Sequence, residues 1–216
     1  MKYIIMCGGD YTRWETPRQL TKIQGEALVE RTIRLLKDSG AEDINISSLD
    51  PRFEEFGVPV LHHENDYRSG QNPTGCWVDA FYPTEEPACY LMGDVFFSPE
   101  AIKTIVKAKT RTIDFFASAP PFSRQYIKPH AEPFAFQVVD QKRFRAAISF
   151  VKANAHTGIF VRRPIAWELW QVIIGEAVRT INFNSYIIIN DYTCDVDSVE
   201  DIKKLELLLG GTKNAR

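Results

Sequence analysis

Residues 2–6 form a short apolar run that stops at Gly8-Gly9, the pattern of a buried strand running into a tight loop. After Gly25 the pattern becomes helical. Leu28, Thr32, Leu35 and Leu36 share one face, Glu30, Arg34 and Lys37 another, and Gly40 stands where a helix-ending glycine belongs. Apolar runs at 44–48, 58–62, 88–92 and 114–118 predict further strands. Ser98-Pro99-Glu100 reads as a helix start, with a capping serine, a proline at the first helical position and an acid near the positive end of the dipole. Ile102, Ile105 and Val106 supply its apolar stripe. Beyond it, 135–139, 158–162 and 186–189 read as strands, and 144–151 and 166–178 as helices, the latter with Trp167, Trp170 and Ile174 on one side. Ser198 opens a last helix whose core face is Leu205, Leu208 and Leu209.

Strand and helix alternate through the first half. That order predicts a mostly parallel, mixed sheet with helices on both faces, a three-layer α/β/α sandwich of Rossmann-like type. No repeat, low-complexity tract or linker divides the chain, so residues 1–216 read as one domain. Sheets of this kind bind ligands in the crevice beyond the carboxyl ends of their strands. The Gly8-Gly9 loop and Asp94 both fall there.

Composition narrows the field. With 44% apolar and 25% charged residues, a chain of 216 can bury a core without disulfides or structural metal. A net charge of -2 provides no global field for nucleic acid or an anionic membrane, so any polyanion must meet a local cluster of cations and N–H groups. Cys7, Cys76, Cys89 and Cys194 lack metal-ligand spacing and read as buried free thiols. No apolar stretch approaches a signal peptide or a membrane span, and a cytoplasmic location is expected.

A glycine pair directly after a first strand lets backbone N–H groups approach an anion closely. Arg13 and Arg18 follow with planar cations suited to paired phosphate contacts. The loop is neither a G-x-x-x-x-G-K-[ST] nor a G-x-G-x-x-G, because both runs are absent. Asp94 stands at a strand's carboxyl end beside this loop, where a hard cation is readily held.

Gly8, Gly9, Thr12, Arg13, Pro17, Leu20, Gly25 and Arg31-Thr32-Ile33 together resemble the opening of one nucleotidyltransferase family. It includes sugar-phosphate nucleotidylyltransferases, small-alcohol-phosphate cytidylyltransferases and the molybdenum-cofactor guanylyltransferase. The chain departs from the family's G-G-x-G-x-R and P-K-x-L runs by Tyr11 in place of the third glycine and Arg18 in place of the lysine. Gln71, Asn72, Thr74 and Gly75 resemble the stretch that reads the base. Tyr90-Leu91-Met92-Gly93-Asp94 resembles the strand ending in a magnesium aspartate, and Asp195-Val196-Asp197-Ser198-Val199-Glu200-Asp201 the closing D-x-D-[ST]-x-E-D run.

The resemblance implies a magnesium-dependent enzyme moving a nucleoside monophosphate from an NTP, CTP among the candidates, onto a phosphorylated small acceptor. The acceptor is a sugar 1-phosphate or an alcohol phosphate, and pyrophosphate is released. Gly8, Gly9, Thr12, Arg13, Asn72 and Gly75 are expected to bind the nucleotide, with Arg13 and Arg18 on its β- and γ-phosphates. Asp94 and Asp197 are expected to hold magnesium. Asp195 is read as turned away from Asp197 and as the weaker metal contributor. Residues up to about 110 form the NTP half, about 111–190 the acceptor half, and 191–216 the metal motif and closing helix.

Lys128, His130 and Glu132, a polar cluster between Pro129 and Pro133, are the expected acceptor contacts. The four histidines otherwise read as structural or exposed, and no Ser/His/Asp or Cys/His constellation is legible. That fits an acceptor phosphate already mostly dianionic at neutral pH, which needs no general base. A metal-dependent glycosyltransferase using a nucleotide-sugar donor and a non-catalytic nucleotide-binding regulator are the rival readings. A homodimer is compatible with the sequence.

Overall fold

A computed structural model describes residues 1–8, 16–63, 75–118 and 130–211. Gly9, Thr12, Arg13, Asn72 and Lys128, singled out above, lie outside the described residues. In chain order the strands and helices are β1 (Lys2–Met6), β2 (Lys22–Ile23), β3 (Glu26–Ala27), α1 (Leu28–Asp38), β4 (Ile44–Ser47), β5 (Val60–Leu61), β6 (Ala88–Met92), β7 (Val95–Phe96), α2 (Pro99–Lys107), β8 (Ile113–Ala117), β9 (Pro133–Val138), α3 (Gln141–Asn154), α4 (Ala166–Ile174), β10 (Ile187–Ile188), β11 (Cys194–Asp195) and α5 (Val199–Gly211).

Seven strands form one sheet in the order β10-β8-β9-β6-β1-β4-β5. β9 runs antiparallel to both neighbours and the other pairings are parallel, which is the mostly parallel mixed sheet expected. The central strands are apolar on both faces because helices cover both: every residue of β6 is buried, as are Tyr3 to Met6 of β1. Helices pair as α1 with α2 and α3 with α4. An aromatic cluster fills the interior beside α3 and α4, with Phe115 stacked on Phe136 at 4.4 Å between centroids and edge-on to Trp167 at 5.0 Å. All four cysteines are buried and none is in a disulfide, as their spacing implied. Among the described residues, no helix is long and apolar enough to cross a membrane.

Helix α1 buries Leu28, Val29, Thr32, Ile33, Leu35 and Leu36, the face read from the sequence, and ends at Gly40 with φ +88°. Helix α2 starts as its sequence dictates: the Ser98 hydroxyl accepts from the Ala101 N–H at 2.9 Å and Pro99 takes the first position.

Two expected elements are corrected. Residues 158–162 are turn and bend rather than strand: Gly158 has φ +79°, Val161 is exposed, and the segment pairs with no strand among the described residues. The helix expected over 166–178 stops at Ile174. Gly175 adopts a left-handed φ of +75°, and Glu176 N–H donates back to Gln171 O at 2.8 Å.

Candidate active site

The register of β1 and β6 pairs Met6 with Met92, so Gly8 and Asp94 leave the sheet at the same level, two residues beyond that pair. Gly93 is required between them. Its N–H donates to Met6 O at 3.1 Å, and a Cβ added there would sit 2.3 Å from that same oxygen. Gly93→Ala is therefore expected to force the two strand ends apart, costing roughly 1–3 kcal/mol and displacing Asp94. Thermal unfolding checks it, and an unchanged midpoint would show that the close approach is dispensable.

The chain returns to this edge through a small ribbon. β7 and β11 pair antiparallel, Val95 opposite Asp195, and Val196 N–H donates to Asp94 O at 2.9 Å. Ile23, Leu28, Phe96, Cys194, Val196 and Leu205 form a second apolar cluster that fixes the ribbon to α5. Asp197 then sits just before α5. Asp201, buried, accepts from the N–H groups of Asp197 and Ser198 at 3.1 and 2.9 Å and so caps the helix.

Asp94 and Asp197 thereby converge on one cation. Arg18 places its Nη2 2.9 Å from Asp94 Oδ2 and its Nη1 on Asp197 Oδ1. Burial opposes the charge on Arg18, but the fields of Asp94, Asp197 and Asp195 overcome it and raise its pKa, so the guanidinium stays charged. Arg18, expected to serve the β- and γ-phosphates, spans in the protein alone the two carboxylates expected to hold the metal. Asp195 faces the same cavity as Asp94 and Asp197 rather than turning away. Residues two apart in an extended segment share a side, so Asp195 and Asp197 point together.

These groups line a cavity of about 490 Å³ with Trp77, His130, Glu132, Arg162, Trp167 and Phe183. His130 and Glu132, the expected acceptor contacts, line the same cavity as Asp94 and Asp197. Glu132 is buried, accepts from Asp195 N–H at 2.9 Å, and lies 3.4 Å from His130 Nε2, so it also anchors β11. Gly75 is not among the lining residues; its carbonyl accepts from Arg163. Arg162, Trp77, Trp167 and Phe183 were not read from the sequence as site residues. Their one local signal is Arg162-Arg163-Pro164 just ahead of a helix, which carries no motif.

The family model described as the MobA-like NTP transferase domain matches residues 3–156, well over half of the chain. The chain belongs to that family. Nucleotidyl transfer is therefore its class of chemistry, and the matched span holds Gly8, Arg18, Asp94 and Glu132. A search of curated proteins finds no match. Among solved structures, a Bacillus anthracis protein assigned as a glucose-1-phosphate thymidylyltransferase, in complex with sucrose, is similar at a TM-score of 0.57 and 17% identity. The alignment covers 96% of this chain and 94% of that one, a likeness of fold.

As a MobA-like NTP transferase the chain has a donor set suited to a hard cation. Two carboxylate oxygens already converge on a single positive charge at the carboxyl edge of the sheet, as an oxygen-preferring divalent ion requires. Among the described residues no group of three or more His, Cys, Asp or Glu is arranged to hold a metal. Two carboxylates completed by substrate oxygens and water is how magnesium is usually bound. Nucleophilic catalysis by the nearest thiol is disfavoured, because burial, then the Asp94 charge, pushes Cys7 well above its ordinary pKa.

Proposed function

We propose that the protein transfers a nucleoside monophosphate from an NTP to a phosphate monoester, with pyrophosphate as the second product. The observation that carries this reading is the convergence of Asp94 and Asp197 on one cation at the mouth of a substrate-sized cavity. An acceptor phosphate oxygen attacks the α-phosphorus, and the bond to the bridging oxygen breaks toward the β-phosphate. No proton needs removing from the attacking oxygen, so the protein's task is positioning and charge neutralisation.

Asp94 and Asp197 are the residues that would hold magnesium, which when bound supplies charge neutralisation at the phosphates. Arg18 neutralises these carboxylates in the protein alone. Arg18 and Arg13 are also assigned to the leaving pyrophosphate, whose charge their guanidinium groups would neutralise. Gly8, Gly9, Thr12, Asn72 and Gly75 are assigned to the nucleotide. His130, Glu132 and Lys128 are assigned to the acceptor. Sugar 1-phosphates and alcohol phosphates both suit a cavity of this size.

Each of the four NTPs, mixed with a panel of sugar and alcohol phosphates and magnesium, is expected to release pyrophosphate for at least one pair. The release depends on both substrates. Pyrophosphate from no combination, despite measurable NTP binding, would favour a regulator over an enzyme.

A further inference from the structure

Arg162 ends the segment read from the sequence as a strand over 158–162, and it lines the same cavity as Asp94 and Asp197. Its Nε donates to Glu168 Oε1 at 2.7 Å, and that carboxylate is fully buried in the first turn of α4. Glu168 is itself fixed, its second oxygen accepting from Ile165 N–H at 3.0 Å. The terminal nitrogens of Arg162 make no hydrogen bond or ion pair among the described residues, and its side chain is 47% exposed. A guanidinium tied down by Nε, with its outer N–H groups unused, is preorganised for a planar or tetrahedral oxyanion. A surface arginine could pair with a carboxylate at no cost; burying Glu168 completely to hold one costs desolvation.

The same cavity is lined by a second donor residue. Trp167 is buried, lines the cavity, and its indole Nε1 has no hydrogen-bond partner among the described residues. A buried indole N–H normally finds one, so an oxygen acceptor is missing from this spot. Ile165 and Ala166, at the start of α4, also line the cavity, with the positive end of a nine-residue helix.

We propose that Arg162, positioned by Glu168 and assisted by the Trp167 N–H, is the receptor for the anionic group of the acceptor. This rests on the reading of the protein as a nucleotidyltransferase and assigns the acceptor phosphate its own cation, separate from Arg18. It explains how two anions, the acceptor and the α-phosphate, are brought together. Each meets its own arginine within one cavity. Arg162 is a binding residue, and Glu168 is a positioning residue acting through it.

The probe is inorganic phosphate, followed by tryptophan fluorescence against sodium chloride of equal ionic strength. Wild type is expected to show a saturable change, and Arg162→Ala to need at least about tenfold more phosphate. Arg162→Lys is expected to lose nearly as much, because an ammonium paired with Glu168 has no outer fork to offer. Arg162→Ala leaves a buried carboxylate unpaired and can unfold. The double variant Arg162→Ala/Glu168→Gln removes both charges and keeps the measurement readable.

Glu168→Gln is expected to weaken phosphate binding in the wild-type background and to change nothing when Arg162 is already alanine. A purely structural glutamate would act alike in both. NTP binding, measured in parallel, is expected to stay within about twofold in all these variants. Phosphate titrations that superimpose for wild type and folded Arg162 variants would overturn the proposal. So would a wild-type response no greater than that to chloride. Loss of NTP binding in wild type would instead count against the nucleotidyltransferase reading, and leaves the phosphate result legible.

Discussion

Asp94→Asn and Asp197→Asn are each expected to lose kcat by on the order of 10²–10³-fold, the several kcal/mol that charge neutralisation at a transferring phosphoryl group contributes. Both carboxylates already contact one guanidinium, so each lies within the reach of a single cation. Two negative charges this close are costly unless a positive group stands between them. Asparagine keeps the shape and one oxygen while removing the charge, so the fold should survive. The test is titration of nucleotide into each variant with and without magnesium, beside pyrophosphate release. Wild type is expected to bind nucleotide more tightly with magnesium, and the variants to be nearly insensitive to it. Full turnover in either variant would remove that carboxylate from the chemistry.

Arg18 carries the second large effect. Arg18→Ala leaves Asp94, Asp195 and Asp197 facing one another, with the cation that opposed them removed. Turnover is expected to fall about 10²-fold or more, since the residue balances the carboxylates and then serves the leaving group. The informative variant is Arg18→Lys. The guanidinium uses two terminal nitrogens on two different acids, a bridge that one ammonium on a flexible stem makes less well. A loss of about tenfold, roughly 1.4 kcal/mol, is expected. Wild-type kcat in Arg18→Lys would show that only a point charge matters. Wild-type kcat in Arg18→Ala would show that the bridge has no part in turnover. Without magnesium, Arg18→Ala is also expected to melt below wild type and to recover more on adding it, because the metal replaces the missing cation.

The first sheet was legible because its signals are local. An uninterrupted apolar run such as Tyr3 to Met6 can be satisfied only where both faces are covered. Ser98-Pro99 caps and starts a helix whatever surrounds it. Gly175, by contrast, sits in a pattern that reads as helix on both sides, and its left-handed turn cut α4 short. The strand expected at 158–162 failed for another reason. Its residues have strand-like composition, but a strand exists only with a partner edge, and pairing is a property of the whole sheet.

By itself the sequence determined the strand-loop opening, the carboxylate that ends β6, the acidic run before α5 and the family to which these motifs belong. Each is a short-range pattern, carried by neighbours in the chain. Only the tertiary structure decided who meets whom. The β7–β11 ribbon carries Asp197 to Asp94, period-two alternation turns Asp195 to the same side, and Arg18 lands between two carboxylates. It also brought Arg162 into the cavity, where a buried Glu168 only six residues on holds it, among lining residues from distant parts of the chain. Motifs record local chemistry, whereas opposite charges are paired across the fold by packing, and packing depends on contacts far apart in the chain.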